Sequence, residues 1–141
     1  MGSSDASLSG RARGKLAVLD EVRRKWDHVH ALVQQIYARR TAGTVTRGTL
    51  SQSSEAPLGA MMRQLTRQSA EIAQLLADNG FAALAEDVQQ LMTLARLSGA
   101  VQKGRLFRMK ELVAVGYGGI ELADRRVREQ DRDDDLLCRA L

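Results

Sequence analysis

Between Leu16 and Arg40, the stretch LAVLDEVRRKWDHVHALVQQIYARR places apolar residues at Leu19, Val22, Trp26, Val29, Val33 and Ile36, in alternating steps of three and four. No other feature constrains the fold as much. An α-helix turns once every 3.6 residues or so, so this spacing gathers the apolar side chains into one stripe and turns the charged ones away. Such a stripe must be covered by other helices, and the indole of Trp26 needs a large cover.

The rest of the chain carries matching stripes. Leu58, Met62, Leu65, Ser69, Ile72 and Leu76 predict a second helix over about 56–79, with Ser69 its one polar inward seat and Pro57 in its first turn. Asn79-Gly80 marks its end, because both residues tolerate a left-handed backbone. Phe81, Leu84, Val88, Leu91, Ala95 and Ser98 predict a third helix over about 81–98, stopped at Gly99. Leu106, Met109, Val113, Gly116, Ile120, Ala123 and Val127 predict a fourth over about 102–130. With the first helix over about 16–40, the expected fold is all-α: an antiparallel up-down-up-down four-helix bundle spanning 15–130. A Gly/Ser-rich flexible N-terminal arm, 1–14, and an acidic, then apolar, C-terminal tail, 131–141, flank it. Thr41 to Ser54, rich in Thr, Ser and Gly, reads as a flexible connector, with a tiny hairpin around Arg47-Gly48 as the alternative.

Composition agrees. The chain has 141 residues and a single proline, a length that can bury a core without disulfides. One cysteine excludes an internal disulfide and a cysteine-rich zinc site. No run approaches the roughly 18 apolar residues of a spanning helix, and Met1 to Gly10 lacks the apolar stretch of a secretory signal. A soluble, cytoplasmic protein is expected.

Catalytic groupings are missing from the sequence. His28 and His30, two apart on a helix, point about 200° from one another and cannot share a metal. Glu71, Glu86, Asp87, Glu111 and Glu121 fall off the predicted stripes, so no carboxylate cage forms. Arg23 with His28, and Arg24 with His30, resemble the Arg…His spacing of HEPN-type helical ribonucleases. Those enzymes carry the pair late in the bundle, whereas here it lies in the first helix. No phosphate loop or nucleophile elbow occurs. The expectation is a non-enzymatic chain without cofactor or metal.

Three glycines interrupt the fourth helix in Val115-Gly116-Tyr117-Gly118-Gly119, each costing about 1 kcal/mol relative to alanine. They read either as close packing or as a kink or groove beside Tyr117. Apolar residues also outnumber the inward seats. The expected protein-interaction surface is therefore Leu32, Tyr37, Leu97, Gly116, Tyr117 and Gly119, used for self-association or for docking in a larger assembly as an accessory subunit.

The alternative is nucleic-acid binding. Arg23, Arg24 and Lys25, with Arg39 and Arg40, form basic clusters on the first helix; Lys103, Arg105, Arg108 and Lys110 form another around Phe107 on the fourth. Lys and Arg neutralise phosphates, and an exposed Phe offers a surface for base stacking. Finally, Cys138-Arg139-Ala140-Leu141 fits the prenylation spacing weakly, because Arg139 is not aliphatic and the preceding run is acidic.

Overall fold

The computed structural model describes residues 8–45, 51–97 and 102–140, without the side chains of 41–45 and 51–56. Four helices account for almost all of these residues: α1 Gly10–Val45, α2 Ser51–Asp78, α3 Ala82–Arg96 and α4 Lys103–Ala140. No strand occurs among the described residues. Each helix packs against its neighbour in sequence, and α1 also packs against α4, so the four surround one core.

The inward seats are the residues that the three-four spacing selects. Leu19, Val22, Trp26, Val29, Val33 and Ile36 of α1 are buried, as are Leu58, Met62, Leu65, Ser69, Ile72 and Leu76 of α2. Leu84, Val88, Leu91 and Ala95 of α3 join them, with Leu106, Met109, Val113, Gly116 and Ile120 of α4. Phe81, Ala123 and Val127 are partly buried against that core.

The α2–α3 connection is closed by the backbone. Gly80 has φ 84°, a left-handed value that glycine adopts without steric cost. It allows Phe81 N–H to donate to Leu76 O at 2.9 Å and Gly80 N–H to Ala77 O at 3.3 Å. Two otherwise orphaned carbonyls at the end of α2 are thereby satisfied. Lys15 Nζ stands 5.9 Å from the Phe81 ring centre, so this turn lies near the amino end of α1.

The helices extend beyond the expected limits. α1 begins at Gly10 instead of near residue 16, because Ser9 caps it: Ala12 N–H donates to Ser9 Oγ at 3.2 Å. Asp131 of α4 accepts from the Ser9 hydroxyl and, at 3.3 Å, from Ser9 N–H. A carboxylate is thus set at the positive end of the α1 dipole. Ala12 and Leu16, both buried, carry the α1 stripe back to this cap.

At its other end α1 continues to Val45, five residues past Arg40, since adding a residue to a packed helix costs far less than starting one. α2 begins at Ser51, so Pro57 falls in its second turn instead of its first. α3 ends at Arg96, two residues early. α4 runs to Ala140, making residues 131–140 helical; their i to i+4 pairs include Gln130 with Asp134 and Arg139 with Asp135. Residues 1–7 of the arm, the Arg47-Gly48 hairpin, Ser98, Gly99 and Leu141 lie outside the described residues.

Candidate interaction site on α1 and α4

The α1–α4 contact is built around Trp26. Its ring is buried, and Nε1–H donates to the backbone carbonyl of Val113 at 2.9 Å, which satisfies the one polar atom of the indole. The Nε1 edge of the indole reaches the α4 backbone at residue 116, and only a glycine there permits that. A Cβ there would stand 2.5 Å from Trp26 Cε2 and 2.6 Å from Nε1. At Gly119 a Cβ would stand 2.6 Å from Leu84 Cδ1. Gly118 differs: an added Cβ would meet nothing within 4 Å. α4 stays helical through all three. Close packing therefore accounts for Gly116 and Gly119 and leaves Gly118 unexplained.

A polar ladder runs along the rim of this contact. Tyr117 OH donates to Asp27 Oδ1, and the Tyr117 ring meets His30 edge-on, at 5.8 Å between centres and 83° between planes. Burial, then the hydrogen bond and charge of Asp27, push the Tyr117 hydroxyl up to about 12. It is a fixed proton donor at neutral pH. Further along, Lys110 Nζ sits 4.2 Å over the Tyr37 ring centre, a cation–π contact. As α1 numbers rise from 9 through 27 to 37, their α4 partners fall from 131 through 117 to 110, so the two helices run antiparallel.

The expected interaction residues divide accordingly. Leu32 and Gly116 are buried in the core and offer no surface. Gly119 packs on Leu84, and Tyr117 is half-buried and bonded to Asp27. Tyr37 and Leu97 are exposed.

The basic residues are not one patch. Arg23, Arg24 and Lys25 follow one another at about 100° per residue, so they splay across three directions. Arg23 and Arg24 are exposed, whereas Lys25 is half-buried. They also lie roughly 20 Å back along α1 from Arg39 and Arg40, at about 1.5 Å per residue. Since Tyr37 meets Lys110, it is Arg39 and Arg40 that reach the end of the bundle carrying Lys103, Phe107 and Arg108. Arg105 is engaged elsewhere. Its Nε donates to Leu94 O at 2.8 Å, and its Nη2 donates to Ala95 O at 3.2 Å and Leu97 O at 2.8 Å, capping the last carbonyls of α3. Burial lowers its guanidinium pKa from the usual value. Cys138 is exposed near the end of α4.

Periodicity confined to the core missed a second feature of α4. Phe107, Val115 and Leu122 are 65%, 46% and 41% exposed, and Gly118 is also exposed. Steps of eight, three and four place all four within about 80° on the face turned away from the core. The signal was present as a second, outward stripe behind the inward one. Among the described residues no helix is long and apolar enough to cross a membrane. Comparison with protein-family models, curated proteins and solved structures finds no match for this chain.

Proposed function

We propose that the chain is a non-enzymatic interaction module: an antiparallel up-down-up-down bundle, cytoplasmic and self-associating, that serves as an accessory subunit of a larger assembly. The observation carrying this reading is the exposure of Phe107, Val115 and Leu122 on one face of α4, while smaller apolar side chains such as Ala12 and Ala95 are buried in the core. Exposed apolar groups are ordinary when scattered, but a row along one helix marks a contact surface. Tyr37 and Leu97 are further exposed apolar residues, at the end of the bundle where α4 begins. The test is light scattering behind size exclusion, with absorbance at 260 and 280 nm, on untagged protein. A mass that is a multiple of 15.5 kDa, or stable capture in a defined complex, is the expected result. A monomer with no stable protein partner would reject the reading.

A second reading, nucleic-acid binding, is favoured by one observation: exposed Lys103, Phe107, Arg108 and Arg39 gather at one end of the bundle. It predicts co-eluting 260 nm absorbance that falls steeply with salt. The triple variant Lys103→Glu, Arg108→Glu, Lys110→Glu would abolish binding. Arg105 is left out of that variant because it caps α3.

A further inference from the structure

Three observations on α4 lead to the same contact. The first is Gly118, a mid-helix glycine that costs about 1 kcal/mol relative to alanine, with nothing near it that an added Cβ would meet. The second is the row it belongs to, in which Phe107, Val115 and Leu122 are exposed and Ala114 adds another small residue one turn before Gly118. The third is the charge polarity of the helix. Residues 103–110 contain Lys103, Arg105, Arg108 and Lys110 and no acid, whereas 131–135 contain Asp131, Asp133, Asp134 and Asp135 against one Arg.

We infer that this face docks a second copy of the chain, α4 against α4, antiparallel, with the two-fold axis at Gly118. The inference rests on the self-association proposed above and specifies its surface. Two like helices laid side by side in parallel would set basic on basic and acidic on acidic. Reversing one about Gly118 sets the basic 103–110 against 126–133, where Arg126, Arg128 and Arg132 balance Glu129, Asp131 and Asp133. The repulsion between basic ends is relieved, so charge favours the antiparallel arrangement over the parallel one. With Gly118 at the centre, Val115 of one copy meets Leu122 of the other. Glu111 comes opposite Arg125, and Lys103 opposite Asp133, each pair occurring twice by symmetry. Glu111, Arg125, Lys103 and Asp133 are all exposed. The missing side chain at 118 lets the two backbones approach where they cross, which gives this glycine the role that packing within one chain does not. Phe107 then lies against the aliphatic stem of Glu129 on the second copy, at the rim of the contact.

The test uses the full chain and reads mass by sedimentation equilibrium up to about 100 μM, a range that detects micromolar association. The expected mass is twice 15.5 kDa. Gly118→Glu sets two carboxylates on the axis and should give a monomer with unchanged helical circular dichroism. Glu111→Arg and Arg125→Glu should each weaken association about tenfold, and the double reversal should restore it. In a Cys138→Ser background, Gly118→Cys should form an intermolecular disulfide under mild oxidation. Phe107→Cys should not, because its two copies would lie roughly 33 Å apart along the antiparallel pair, at about 1.5 Å per residue. A monomer at every concentration overturns both the dimer and the self-association it rests on. A dimer indifferent to Gly118→Glu and to the charge reversals overturns only the α4 face, leaving self-association through another surface. Single reversals that weaken the dimer without rescue in the double overturn the antiparallel register.

Discussion

Trp26 fills the volume that a side chain at residue 116 would occupy, and its indole N–H is held by the carbonyl of Val113 one turn before that glycine. Gly116 and Gly118, two residues apart, therefore have opposite environments, and substitution should separate them.

Gly116→Ala drives a methyl group into a rigid ring. Overpacking of this kind costs about 1–3 kcal/mol, offset in part by the roughly 1 kcal/mol that alanine gains over glycine in a helix. Gly118→Ala meets open space and should gain up to about 1 kcal/mol. Urea unfolding followed by circular dichroism, at concentrations where the chain is monomeric, reads both. Changes of the same sign would refute the packing account.

Ser69 is fully buried, and its hydroxyl finds no hydrogen-bond partner among the described residues. An unpaired buried hydroxyl costs about 1–3 kcal/mol, and alanine is also the better helix former. Ser69→Ala should raise the unfolding midpoint in a thermal melt. A drop would mean that the hydroxyl has a partner.

Arg105 ties the start of α4 to the last carbonyls of α3 through a flat, forked guanidinium. Arg105→Lys keeps the charge but not the fork. We expect both Arg105→Ala and Arg105→Lys to lose about 1–2 kcal/mol. Faster amide exchange over the last turn of α3 should accompany the loss. Full stability in Arg105→Lys would show that charge alone suffices.

The hydroxyl of Tyr117 titrates at about 12 in the folded chain, against an ordinary value of 10.0. Between those two pH values the unfolded chain releases the proton and the folded chain keeps it, so stability falls as pH rises from about 10 to about 12. Below about 10 the contribution is complete. Tyr117→Phe should remove this alkaline loss, and it should cost about 0.5–1.5 kcal/mol at neutral pH through the lost bond to Asp27. Tyrosinate absorbance near 295 nm in a Tyr37→Phe background follows the group directly. Titration near 10 would remove the Asp27 contact from the account.

Much of the fold was legible because burial follows a local rule. The spacing at Leu19–Ile36 and Leu58–Leu76 selects one helix face from composition and period alone, and those are the residues that the core takes in. Leu32 sits beside the stripe, and how far the core reaches around a helix depends on its neighbours, not on its own period. Ser9 stands in a Gly/Ser-rich stretch where one serine resembles another until Asp131 arrives beside it.

Apolar period and left-handed glycine geometry act within a few residues, so the inward face of each helix and the bend between α2 and α3 are written locally in the chain. The exceptions take their meaning from packing between helices. Gly116 serves Trp26, Arg105 serves the end of α3, and Tyr117 serves Asp27. These contacts join residues as far as 90 apart, for Tyr117 and Asp27, or as close as 8, for Arg105 and Leu97. In every case the meaning of a residue lies in a partner on another helix, which no spacing along one helix can contain.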